Sequence, residues 1–284
     1  VDCQNAPVTR RTIVALHAHP DDESLLTAGT LARAAAAGHR VVLVLATRGE
    51  GGQVGSGVLG DGEDLGRRRT AEAQVSADAL GVARLVFLDH RDSGLEPGAG
   101  GEWPSGSLMA ADVGVVAEQV AGLLVDEGAD LLVADDRNGG YGHPDHRRVH
   151  EVAVAAVATA GVPLFEATVD REFIAGGVAL AESMGLVVPE GFVPSDVSSW
   201  YTSAAEITHA VDVSGVLDAK RASMRAHASQ ATSAADTMRT LAVFLDLPPD
   251  VFALAFSTEW FVQRGAPTDP RGDDLFVGLP RRQA

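Results

Sequence analysis

The sequence predicts an α/β chain: a Rossmann-like, mostly parallel sheet flanked by helices, with a C-terminal α/β elaboration. Three observations carry this. Short β-branched runs alternate with longer Ala/Leu/Val-rich segments of helical period. Several of the helical segments close on a glycine, at Gly38, Gly81, Gly128 and Gly161. Of the 284 residues, 46% are apolar, which is enough for a sizeable core.

Taken in order, strands are expected at 12–17, 40–46, 84–88, 130–134 and 163–167, with helices at 24–37, 65–80, 110–127 and 144–159 between them. After about Gly185 the pattern changes to a Pro/Ser-rich stretch. A strand at 207–213 follows, then helices near 217–229 and 233–245, and the tail after Gly265 reads as loop. The expected organisation is a catalytic core over 1–185 and an elaboration over 186–284 packed on it without a clear linker. Two glycine-rich connections, 47–64 and 89–108, exceed ordinary loop lengths and are of the functional kind.

Composition excludes several classes. A net charge of −17 argues against a partner such as nucleic acid, whose phosphates need clustered Lys and Arg. No apolar run reaches the roughly 18 residues of a membrane span, and the first ten residues lack a signal-peptide pattern, so a cytoplasmic chain is expected. Cys3 is the single cysteine, which rules out an internal disulfide and a thiolate-rich zinc site. Any metal must then be held by His, Asp or Glu. Homo-oligomerisation is left open.

Chemistry concentrates in two clusters. His19-Pro20-Asp21-Asp22-Glu23 follows the first strand, and Gly139-Gly140-Tyr141-Gly142-His143-Pro144-Asp145-His146 follows the fourth. Ligands of doubly wound sheets bind beyond the carboxyl ends of the strands, where both clusters fall. Either one alone also fits a helix-entry turn, in which Pro and acidic residues suit the N-terminal dipole. Two of them after two strands of one sheet single out a metal site. His19, Asp22 and His146 form a two-His, one-carboxylate set that suits catalytic zinc, and Fe²⁺ also fits. Asp21 diverges from Asp22 and is free to act as general base toward a water such an ion activates. His143, as an imidazolium, can stabilise an oxyanion or protonate a leaving amine, and Asp145 is placed to orient His143 or another imidazole.

These residues resemble the GlcNAc-phosphatidylinositol de-N-acetylase family, also called LmbE-like or PIG-L-like. Its paired signature stands here as Ala18 to Glu23 and His143 to His146, and the likeness covers most of the chain. Gly139 to Gly142, Arg91 to Gly94 and Arg225 to Gln230 are most similar to the actinobacterial mycothiol-pathway deacetylase/amidase branch. The resemblance implies a zinc hydrolase that removes an N-acetyl group from a small N-acetylglucosaminyl-type substrate. Within that implication His19, Asp22 and His146 hold the metal, Asp21 is the base, and His143 is the acid or oxyanion stabiliser. It also implies that Arg69 and Asp92 contact the sugar and that Tyr141 lies near the reacting carbonyl. In the run Arg67 to Arg69, the position three before Glu72 selects Arg69.

The alternatives are an amidase for a larger amino-sugar conjugate, a tailoring deacetylase of secondary metabolism, and a non-catalytic metal-binding or sensing protein. Gly55 to Gly60 matches the dinucleotide pattern G-x-G-x-x-G, but it lies about eight residues past its strand, so a substrate loop is the better reading. No G-x-S-x-G elbow supports a serine hydrolase. His17 and His150 are assigned to core or supporting roles and His227 to helix packing, although His227 could reach the site from the C-terminal helices.

Overall fold

Residues 10–183, 185, 196–233 and 239–279 are described in the computed structural model of the chain. In order they form β1 (Thr12–His17), α1 (Asp22–Leu26), α2 (Ala28–Ala36), β2 (Arg40–Thr47), α3 (Leu65–Ala79), β3 (Arg84–His90), α4 (Val113–Asp126), β4 (Leu131–Asp135), α5 (Pro144–Ala160), β5 (Leu164–Thr168) and α6 (Arg171–Ser183). β6 (His209–Asp212), α7 (Leu217–Ala226), α8 (Ala228–Ala231), α9 (Thr240–Leu245), α10 (Pro249–Phe256) and β7 (Thr258–Val262) follow.

One seven-stranded sheet runs β3-β2-β1-β4-β5-β7-β6. The first five strands are parallel, and β7 joins antiparallel to both β5 and β6. The strands read as unbroken apolar runs because both faces are covered. Val14, Leu16, Val42, Val44, Leu132 and Ala134 pack with α4 and α5, while Ile13, Ala15, Val41, Leu43, Leu131 and Val133 pack on the opposite face with residues of α2 and α3. The chain order reverses between β1 and β4, so the crevice at their carboxyl ends is the switch point at which ligands bind.

The five core strands and the helices α3, α4 and α5 fall where the sequence places them, within three residues at each end. The helix expected at 24–37 is two helices, divided at Thr27 (φ −137, ψ −7). The division has a tertiary cause. Glu259 of β7 accepts the N–H groups of Gly29 (2.8 Å) and Thr30 (2.7 Å), which gives α2 its own capped N-terminus. Lys220 of α7 sits 2.5 Å from the same carboxylate and is buried with it. The helix expected at 217–229 is likewise interrupted, at His227 (φ −80, ψ 53). Of the helix expected at 233–245, Thr240–Leu245 is observed, and 234–238 lie outside the described residues. The helices α6 and α10 and strand β7 have no counterpart in the sequence reading.

Candidate active site

The site is assembled at the switch point. β1 ends at His17, and the chain turns at once: the His19 N–H donates to Asp22 Oδ2 at 2.8 Å, and α1 begins at Asp22. From β4 the chain passes through Asp135 and a glycine-rich turn into α5, where His143 occupies the N-cap and Pro144 the first helical position. This brings His146, on the first turn of α5, against the β1 turn.

Asp22 stands between the two histidines. Its Oδ2 is 3.6 Å from His19 Nδ1, and its Oδ1 is 3.4 Å from His146 Nε2. Burial opposes its charge, yet His146 and His19 hold its carboxyl far below the ordinary carboxylate range. Among the described residues, ligand atoms within 4.8 Å of one another occur in three overlapping groups: His19, His143 and His146; His19, Asp92 and Asp145; and Asp22, Asp135 and His146. Among the described residues, neither ring nitrogen of His146, both buried, has a hydrogen-bond partner. A buried imidazole whose nitrogens make no hydrogen bond, facing carboxylates and a second imidazole, is what a divalent-cation site provides, and the donor set suits zinc. The constellation is a candidate metal centre.

The other expected residues surround it. Asp21 takes the left-handed conformation (φ 108, ψ −25). Its Oδ1 accepts an N–H from Arg69 Nη2 at 2.9 Å. Burial, with Asp22 and Glu23 nearby, raises its pKa against the lowering pull of Arg69 and His227. Arg69 itself is buried. Its Nη2 also donates to the Pro20 carbonyl and its Nη1 to the Gly49 carbonyl at 2.7 Å. Gly49 is required there, because a Cβ at φ +63 would lie 2.2 Å from Arg69 Nη1.

His143 Nδ1 accepts the Asp145 backbone N–H at 3.1 Å, so this nitrogen carries a lone pair and a neutral ring holds its proton on Nε2. Burial and the neighbouring His19 and His146 lower its pKa to about 4. In its neutral form the ring therefore presents Nε2–H as a donor. The Asp145 carboxylate turns to His19 rather than His143: Oδ2 is 3.3 Å from His19 Nε2 and accepts the Ser93 N–H at 2.9 Å. Asp92, from the second long loop, has Oδ1 3.8 Å from His19 Nε2, and its Oδ2 accepts the Gly51 N–H at 3.2 Å. Tyr141 is 46% exposed at the mouth, with its ring centre 5.7 Å from that of His146, 5.9 Å from that of His143 and 6.3 Å from that of Trp200.

Two supporting groups were not singled out by the sequence. Asp135 Oδ2 is 3.4 Å from His146 Nδ1, and its Oδ1 is 2.8 Å from His17 Nδ1, whose Nε2 meets Thr27 Oγ1 at 2.9 Å. The pair Asp135-Asp136 at the end of an apolar strand is the signal that marks it, the same signal that marks Asp21-Asp22. Glu23, read only as part of a motif, accepts from Asp21, Ser76 and His227. The 55–60 segment forms turns with no helix until Leu65, so the dinucleotide pattern lacks its helix.

The class so defined is an α/β enzyme with a His/Asp constellation at the switch point of its sheet. The GlcNAc-PI de-N-acetylase (PIG-L) family matches residues 14–157, and the chain belongs to this family of deacetylases, which hydrolyse non-peptide C–N bonds. It is 37% identical to a 1D-myo-inositol 2-acetamido-2-deoxy-alpha-D-glucopyranoside deacetylase of Kineococcus radiotolerans, over 95% of this chain and 83% of that protein. A protein of the same name from Saccharomonospora viridis is also 37% identical, over 93% of this chain and 99% of its own length. The N,N'-diacetylchitobiose deacetylase of Pyrococcus horikoshii shares the fold (TM-score 0.57, 22% identity, 95% of this chain and 88% of that one). So does the 4-carboxy-2-hydroxymuconate hydratase GalB of Pseudomonas putida (TM-score 0.51, 18% identity, 78% and 80%), which shows that the fold alone does not define the reaction. No helix among the described residues is long and apolar enough to cross a membrane.

Proposed function

We propose that this chain hydrolyses the N-acetyl group of 1D-myo-inositol 2-acetamido-2-deoxy-alpha-D-glucopyranoside, with zinc held by His19, Asp22 and His146. The observation that carries it is Asp22 lying 3.6 Å from His19 and 3.4 Å from His146, beside an Asp21 whose carboxylate is anchored by Arg69. The substrate is that in the names of the two relatives, which align with nearly the whole chain.

When bound, the divalent ion supplies electrophilic polarisation of the acyl carbonyl and acidifies water. Arg69 occupies Asp21 Oδ1 and leaves Oδ2 to take the proton of the attacking water. His143, neutral with its proton on Nε2, offers that N–H to the oxyanion formed as water adds to the carbonyl carbon. When the C–N bond breaks, the proton held by Asp21 passes to the departing nitrogen, giving acetate and a free amine. Asp145, through His19 Nε2, fixes the ring so that Nδ1 faces Asp22. The sugar enters past the exposed Tyr141 toward Asp92, which lies beside His19.

The test is release of primary amine by metal-loaded protein from N-acetylglucosaminyl-inositol, from its thiol-bearing conjugates and from N-acetylglucosamine. Preference for the first supports the proposal, preference for the conjugates identifies an amidase, and no release from any of them overturns it. Asp21→Asn should keep the metal and lose nearly all turnover, whereas His19→Ala or His146→Ala should lower bound metal.

A further inference from the structure

The backbone of Asp21 is held in a conformation that a residue with a Cβ avoids, and it is held from three sides. Its N–H donates to Glu23 Oε2 at 3.0 Å. Its carbonyl accepts from the Ser24 N–H (3.0 Å) and hydroxyl (2.6 Å), and its carboxylate from Arg69. The other oxygen of Glu23, Oε1, is gripped from behind by His227 Nε2 at 2.5 Å and by the Ser76 hydroxyl at 2.6 Å. Glu23, Ser76 and His227 are all fully buried.

This arrangement is built across the chain. Arg69, Glu72 and Ser76 fall at i, i+3 and i+7 of α3 and form one buried stripe. Arg69 takes the Asp21 carboxylate, Ser76 takes Glu23, and Glu72 accepts both the N–H and the hydroxyl of Ser229 (2.8 and 2.7 Å), two residues beyond His227. The interruption between α7 and α8 falls on His227, so its ring reaches Glu23 although the two lie 204 positions apart.

We infer that His227, acting through Glu23, is a positioning residue for Asp21: the C-terminal part of the chain holds the β1 turn in its left-handed conformation. The inference rests on the reading of Asp21 as the base. Without the donor at 227, Glu23 loses one of the two groups fixing Oε1, its grip on the Asp21 N–H loosens, and Asp21 relaxes away from the attacking water. Among the described residues the groups assigned to the metal make no hydrogen bond to His227, so the loss is expected in kcat rather than in metal content or KM.

The experiment is a double-mutant cycle with steady-state kinetics, bound-metal content and melting temperature read on each variant. His227→Phe, which keeps a ring and removes the donor, should lower kcat about ten- to a hundredfold, the scale of a misplaced catalytic group, with KM within about twofold and metal retained. His227→Gln, which restores an N–H, should recover most of the loss. In the Asp21→Asn background His227→Phe should cost no more than about twofold, since both changes act on one group. Unchanged kcat in His227→Phe, or losses that multiply fully in the cycle, overturns the inference and leaves the base assignment standing. Full activity in Asp21→Asn overturns the base assignment and the inference with it. Should His227→Phe not fold, Ser76→Ala removes the second donor to the same oxygen and should show a several-fold loss with the same non-additivity; unchanged kcat there overturns the inference.

Discussion

Arg69 and Asp21, 48 positions apart, form an ion pair of 2.9 Å in which the guanidinium is buried and the carboxylate is partly exposed. The resemblance implied a sugar contact for Arg69. Its terminal nitrogens donate to Asp21 and to the carbonyls of Pro20 and Gly49. We therefore assign Arg69 to positioning. Arg69→Lys, whose single ammonium nitrogen lacks the planar two-nitrogen fork that spans these acceptors, should lower kcat about a hundredfold while KM for the N-acetylated substrate moves less than threefold. A large rise in KM with kcat intact would return Arg69 to the substrate.

Asp135 stands behind His146 as the carboxylate that orients a candidate ligand, 3.4 Å from Nδ1. Asp135→Asn keeps the shape and removes the charge, and such changes typically cost about 10- to 100-fold in metal affinity. Competition with a chromogenic chelator measures this directly. Equal affinity in the variant would show that His146 is oriented by its packing alone.

Lys220 and Glu259 form a buried pair at 2.5 Å that joins α7, β7 and the start of α2. Lys220→Met leaves the carboxylate, among the described residues, with the Gly29 and Thr30 N–H groups but no cation, and should cost about 3–5 kcal/mol in urea unfolding. Replacing both partners, in Lys220→Met with Glu259→Gln, should recover part of that loss. No difference between the single variant and the parent would refute the role given to the pair.

Glu127 closes the far end of the sheet. Arg40 Nε donates to its Oε2 at 2.8 Å and Arg84 Nη1 to its Oε1 at 2.5 Å. The Arg40 contact outweighs burial, with Arg84 adding to it, and holds the Glu127 carboxyl below its ordinary 4.5. A depressed folded pKa means that the stabilisation is complete above about pH 4.5 and is lost as pH falls through the folded value. Glu127→Gln should thus melt a few degrees lower than the parent at pH 7, and the gap should close on acidification. Because Arg40 and Arg84 are partly solvent-exposed, the effect is modest. A gap independent of pH would contradict it.

Legibility followed the range of the interactions. The β1 and β4 turns were readable because local chemistry writes them: Pro144 and the acidic residues mark helix entry, and His, Asp and His recur at the ends of strands. The split of the first helix at Thr27 was not readable, since Glu259, which caps α2, lies 230 positions from Gly29. His227 gave no local sign of its role, because a buried histidine in a helical pattern packs in most proteins, and only its 2.5 Å approach to Glu23 says otherwise. The protonation of His143 was also hidden. It depends on a backbone N–H two residues away that becomes a donor to the ring once α5 begins there.

By itself the sequence determined the parallel core, the two rims of the crevice and the residue types able to hold a metal, because apolar periodicity and turn chemistry act over a few residues. The tertiary structure alone decided which neighbour each polar atom meets. It sent the Asp145 carboxylate to His19, spent Arg69 on Asp21, and brought His227 behind Glu23. Those choices depend on buried hydrogen bonds between segments distant in the chain, whose partners are selected only when packing removes water and each donor must find an acceptor.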